Sequence, residues 1–270
     1  MTKRIVILTG SETRHIFFRK TIALDERINV LASFCEGKEK SLETRVKNNK
    51  SSSKLEMEHV LARNQSEKDF FEFHVNYVRD DSSPVFIKKG DINKHSIVRK
   101  IIDLDPDLLI CYGSSLIKSE LINVFNNKFL NVHLGLSPYY RGSGTNVWPL
   151  IKNEPEMIGA TFMHLDSGID TGKIIHQIRA EIYLGDSPHT IGNRLIKEMT
   201  NVYKKIILNF DNLKEMNQPN EINGKLYLSK DFNDVACRKL YDNFGKGIVE
   251  KFIQKEKKFI NILENPGIKS

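Results

Sequence analysis

The chain has 270 residues, 40% hydrophobic and 28% charged, enough for one compact domain with an appendage or two modest domains. Its formal net charge of +7 and sequence pI near 9.1 favour anionic partners such as nucleotides, phosphates or RNA without selecting among them. No apolar run reaches the roughly 18 residues of a membrane span and Met1 to Gly10 lack a signal peptide's apolar stretch, so no membrane partner is expected and a cytoplasmic location is.

In chain order, the β-branched run Ile5-Val6-Ile7 reads as a strand, and Thr13 onward as a helix carrying Phe17, Phe18 and Ile22. Val30 to Cys35 is a second short apolar run, which makes a right-handed βαβ unit with parallel strands. Glu36 to Ser53 is charged and serine-rich and reads as a mobile loop; a long helical pattern through Val60, Leu61, Phe70, Phe71 and Val75 follows. His59 and His74 on that helix read as surface or packing histidines. Val85 to Ile87 is a short strand, Ile92 to Ile102 a helix, and Leu108 to Tyr112 a buried central strand. It stops at Gly113-Ser114-Ser115, where open α/β sheets place ligands.

Alternation of strands and helices through residue 180 argues for a doubly wound, mostly parallel α/β domain. The tail differs. Ser187-Pro188-His189-Thr190 opens a helix to about Phe210, and Asn223-Gly224 between Glu221-Ile222 and Leu226-Tyr227-Leu228 signals a β-hairpin. The division expected is residues 1–210 as the α/β domain and 211–270 as a hairpin and helical appendage. Lys251 to Lys258 reads as a solvated helix face. Cys35, Cys111 and Cys237, odd in number and far apart, suggest neither a disulfide framework nor a zinc site, and no metal is expected.

Phe129-Leu130-Asn131-Val132-His133 reads as a strand whose period of two sets Asn131 and His133 on one face. An amide can donate to a developing oxyanion while an imidazole handles a proton near neutral pH. The loop Leu136 to Gly144 follows, and Asp170 lies 37 residues after His133, in a second loop, Asp166 to Gly172. A carboxylate reaching the imidazole would favour its protonated form and fix its orientation.

Asn131-Val132-His133-Leu134-Gly135-Leu136-Ser137-Pro138-Tyr139-Tyr140-Arg141-Gly142 resembles the signature of the formyltransferases that use 10-formyltetrahydrofolate, and Asp166 to Gly172 resembles their second signature at the matching separation. The resemblance extends more weakly from Arg4 to about Phe210. It implies a Rossmann-like formyltransferase fold, with Asn131, His133 and Asp170 as the catalytic triad. It also implies a folate pocket walled by Tyr112, Gly113, Ser114, Ser115, Leu116 and Ile117 on one side and Asp166, Gly168 and Ile169 on the other. An acceptor amine would attack the formyl carbon through a tetrahedral intermediate held by Asn131 and a protonated His133, with Asp170 assisting proton transfer.

Three acceptors compete within the resemblance. Glycinamide ribonucleotide enzymes resemble a chain ending near Phe210 with a glycine-rich phosphate loop, which Thr9 to Arg14 reproduces poorly. The methionyl-tRNA enzymes resemble a longer chain with a C-terminal barrel and an Arg-Gly-Ala-Ala-Pro loop; here the loop is Arg141-Gly142-Ser143-Gly144-Thr145. The remaining expectation, implied by resemblance to the sugar N-formyltransferases, is a nucleotide-linked amino sugar, a homodimer, and no nucleic-acid partner. Gly10, Ser11, Arg14, Tyr140 and Arg141 are the candidate acceptor residues. A non-catalytic, basic nucleotide-binding α/β protein is the reading from another class.

Overall fold

The computed structural model describes residues 2–219, 222, 224–254 and 259–268. In chain order these form β1 (Lys3–Gly10), α1 (Thr13–Ala23), β2 (Ile28–Glu36), α2 (Leu42–Asn48), α3 (Lys54–Tyr77), β3 (Pro84–Ile87), α4 (His95–Asp103), β4 (Leu108–Tyr112), α5 (Ser119–Val124) and β5 (Phe129–His133). There follow β6 (Tyr140–Gly142), α6 (Trp148–Lys152), β7 (Gly159–His164), β8 (Ile174–Arg179), α7 (Pro188–Asn209), β9 (Lys225–Tyr227), α8 (Asp234–Gly245) and α9 (Ile248–Gln254). Among the described residues, no helix is long and apolar enough to cross a membrane.

Seven strands form one sheet in the order β3-β2-β1-β4-β5-β7-β8. The first five are parallel, whereas β7 and β8 pair antiparallel to their neighbours. The parallel strands follow from their burial on both faces, which demands near-continuous apolar runs. Ile5 and Ile7 join the core cluster that includes α1 and α7, and Val6 and Leu8 join the one that includes α4 and α5. The chain leaves β1 toward β2 on one side and returns to β4 on the other, so a crevice opens beyond Gly10 and Tyr112.

One expectation is corrected. The segment 42–48 within the serine-rich stretch is helical, because the Ser41 hydroxyl accepts from Thr44 N at 3.1 Å and Val46 is buried. The hairpin expected over Glu221 to Leu228 turns on residues outside the described ones, and its second segment, Lys225–Tyr227, has an unexpected partner: it lies parallel to Tyr140–Gly142 in a two-stranded sheet. Trp148 and Tyr227 stack at 4.3 Å between ring centroids, an aromatic contact that a hairpin with its own neighbours would forgo. Glu221, Asn223 and Lys255 to Lys258 lie outside the described residues.

The tail shares the main core: Tyr227, Ala236, Leu240, Ile248, Val249 and Ile268 belong to the same buried cluster as Ile5 and Phe18. It also covers the sheet edge, where Gln177 N donates to Leu263 O at 2.8 Å and Ile174 bridges to Met216.

Candidate active site

A cleft of about 810 Å³ opens at the sheet's C-terminal edge, lined by the ends of β1, β4 and β5 and the loops that follow them. Asn131, His133 and Asp170 all line it. Phe129, on the same face of β5, is buried in the core, so the strand's last two residues of that face are the ones that reach the opening.

His133 is held at both ring nitrogens. Nδ1 lies 3.3 Å from Asp170 Oδ2, and Nε2 is 2.8 Å from Tyr140 O. Both neighbours are acceptors. Gly135 makes room for this ring, since a Cβ there would stand 2.6 Å from His133 Nε2. Asp170 has a left-handed backbone, φ 54°, and its Oδ2 accepts from Gly142 N at 2.7 Å. Gln218, from the tail, fixes the same loop by donating to Asp170 O at 2.9 Å and Gly172 O at 2.8 Å.

The signature loop is pinned onto β7 and β8. Thr161 Oγ1 donates to Gly135 O and accepts from Ser137 N, while Gln177 Nε2 donates to Ser137 O. Every residue from Tyr112 to Ile117, together with Asp166, Gly168 and Ile169, lines the cleft. Leu116 is 67% and Ile169 38% exposed, an apolar pair on the two loops, suited to cover the faces of a flat ring.

Of the candidate acceptor residues, Gly10, Ser11 and Arg14 line the cleft. Tyr140 and Arg141 are not among the residues that line it. The Tyr140 ring is buried, stacks on Tyr227 and bonds Glu154 through its hydroxyl, so its contribution to the site is the carbonyl that holds His133. Arg141 donates to Gly224 O at 3.2 Å.

Arg14 is committed to carboxylates. It bonds Glu67 at 2.6 Å and contacts Glu12, while Arg63 lies 3.3 Å from Glu67 and 3.7 Å from Glu12. Burial acts to lower the Arg14 pKa, but Glu67 and Glu12 outweigh it and hold the guanidinium above its ordinary value. Burial and the Arg14 charge lower Arg63, consistent with its longer contacts. Beside them His15, buried and facing Arg14, is pushed well below the usual histidine range. Its ring packs beneath Gly10 and Gly113, where a Cβ would approach within 2.4 and 2.3 Å respectively.

The sequence reading missed several lining residues: His15, Arg63 and Glu67, the cationic rim of Lys38, Lys40 and Arg45, and the wall formed by Leu226, Leu228 and Phe232. One signal was present. His59, Arg63 and Glu67 recur every four residues, a polar stripe on one face of α3. The apolar wall comes from the tail, and only the β6–β9 pairing brings it to the cleft.

Residues 4–207 match the family model described as Formyl transferase. A methionyl-tRNA formyltransferase from Buchnera aphidicola subsp. Acyrthosiphon pisum is 30% identical over 154 residues, 55% of this chain and 48% of that protein. The chain thus spans about half the length of the curated relatives it matches. An N-formyltransferase from Helicobacter canadensis, solved with folinic acid and dTDP-3-aminofucose, superposes with TM-score 0.55 at 17% identity, covering 90% of this chain and 81% of that one. A phosphoribosylglycinamide formyltransferase from Anaplasma phagocytophilum gives TM-score 0.55 at 13% identity, covering 85% and 100%. At such identities the structural likeness speaks to fold alone.

Proposed function

This chain belongs to the formyl transferase family, and from that premise we propose that it moves the formyl group of 10-formyltetrahydrofolate to the amine of a nucleotide-linked amino sugar. The observation that carries the proposal is His133 pinned between Asp170 and Tyr140 O, beside Asn131, at the head of the cleft. The two loops around Leu116 and Ile169 suit the pterin of the donor, which supplies a carbonyl carbon already activated by its nitrogen substituent.

In this mechanism the acceptor nitrogen bonds to the formyl carbon and the carbonyl oxygen gains negative charge. Asn131 and His133 donate to that oxygen, the ring exchanging the Tyr140 carbonyl for it. Asp170 holds the imidazolium and accepts, through water, the proton the amine gives up. The bond from the formyl carbon to the donor nitrogen then breaks, and that nitrogen takes a proton. Each donor to such an oxyanion is typically worth about 2.7–4 kcal/mol of barrier.

The choice of acceptor is supported by the far end of the cleft. Lys38, Lys40 and Arg45 suit a diphosphate, while Leu228 and Phe232 with the neighbouring His59 suit a flat base. This reading sets the acceptor's nucleotide against α2, α3 and the tail. A methionyl-tRNA acceptor is the second reading, favoured by the 30% identity to such enzymes. Incubation with 10-formyltetrahydrofolate and a panel of amino-sugar nucleotides, glycinamide ribonucleotide and methionyl-tRNA tests both. Tetrahydrofolate release with a formamido sugar as product is expected; release with either of the other acceptors alone would overturn the sugar assignment.

A further inference from the structure

Glu36 ends β2 beside Gly10 and is fully buried. Three donors converge on its carboxylate: Lys89 Nζ at 3.0 Å, Gly90 N at 2.7 Å and Ser115 N at 2.5 Å. A buried carboxylate with several donors is stable there only because each oxygen is satisfied. The third donor belongs to the loop after β4. That loop has no regular structure between Gly113 and Lys118, and it carries the exposed Leu116 into the cleft.

A second tie sits at Leu116 and Lys118. Asn93 Nδ2 donates to Leu116 O at 2.9 Å, and Asn93 Oδ1 accepts from Lys118 N at 2.8 Å. Glu36, from the end of β2, and Asn93, from the turn that Gly90 opens with φ 93°, thus hold the loop at successive points. Glu36 does not itself line the cleft, whereas Ser115, Leu116 and Lys89 do.

We infer that Glu36 is a positioning residue that fixes the 113–117 loop in the shape that receives the formyl donor, with Asn93 completing the clamp. The inference rests on the reading of that loop as one wall of the donor's pocket. A loop free to move would have to be ordered on binding, and that cost falls on donor affinity while leaving the chemistry at His133 in place.

The test is folinic acid binding by calorimetry, together with steady-state kinetics, on the parental chain, Glu36→Gln and Asn93→Ala. The glutamine keeps the shape but turns a donor either toward Gly90 N or toward Ser115 N and Lys89. Loss of a charge-assisted hydrogen bond predicts roughly tenfold or more weaker folinic acid binding in Glu36→Gln. Asn93→Ala should weaken it in the same direction by less. For both variants the KM for the donor rises, while kcat and the KM for the acceptor stay near parental values, a split that a general loss of structure would not give. Parental affinity in a folded Glu36→Gln protein, or in Asn93→Ala if the first variant does not fold, overturns the inference. Absence of folinic acid binding by the parental chain would instead overturn the donor reading beneath it.

Discussion

Histidines that look alike in the sequence have different situations in the fold. His133 has an acceptor at each nitrogen. His176 is buried and its Nδ1 accepts from Asn265 N at 2.9 Å, which a doubly protonated ring cannot do. Burial, then the Lys205 charge, lowers His176 to about 4; burial, then His189 and Arg63, lowers His59 to about 3; burial, then Arg63, lowers His189 to about 4. Each binds its proton more weakly folded than unfolded, where the usual value is near 6.5. Stability is therefore full above pH 6.5 and is lost as pH falls toward 4, by about 1.4 kcal/mol per pH unit for each such imidazole. Urea unfolding at pH 5 and 7 should show a smaller acid loss in His176→Gln than in the parent; equal losses would contradict the assignment. The depth of burial was not legible in residue identity, since it depends on segments remote in sequence, such as the Asn265 N–H that donates to His176.

Among elements, the strands of the parallel core were legible because burial on both faces leaves an unmistakable apolar run, as in Leu108 to Tyr112. The placing of Asn131 and His133 on one face was legible because side chains alternate along β5. The partner of β6 was not, because a parallel pairing between Tyr140–Gly142 and Lys225–Tyr227 leaves no local pattern, and the Asn-Gly turn signal pointed elsewhere. Gly142 is where this pairing meets the chemistry. Its φ is 93°, a Cβ there would lie 2.1 Å from Tyr227 O, and its N–H donates to Asp170. Gly142→Ala should cost about 1–3 kcal/mol of stability and lower turnover as well, because the Asp170 hydrogen bond and the tail wall move together. Thermal melting and turnover measure the two effects; a parental melting temperature would contradict the close fit.

Across the whole molecule, the cleft exists because the strand order reverses between β1 and β4 and because the tail folds back across β6. The first condition was readable from the alternation of strands and helices. The second depends on contacts such as Arg45 Nη2 to Phe232 O at 2.9 Å and Gln218 to the Asp170 loop, which couple the tail to both ends of the cleft. The excess of positive charge is likewise informative only once placed: Lys38, Lys40 and Arg45 edge the cleft, whereas Arg14, one of the two arginines named from the sequence, is neutralised by Glu12 and Glu67. The most direct test is the single-turnover rate of formyl transfer from 10-formyltetrahydrofolate in Asn131→Ala, His133→Ala and Asp170→Ala beside the parental chain. A loss of roughly 10²–10³ in each, with folinic acid still bound, is expected; near-parental rates in all three would contradict the assignment of the chemistry to this site.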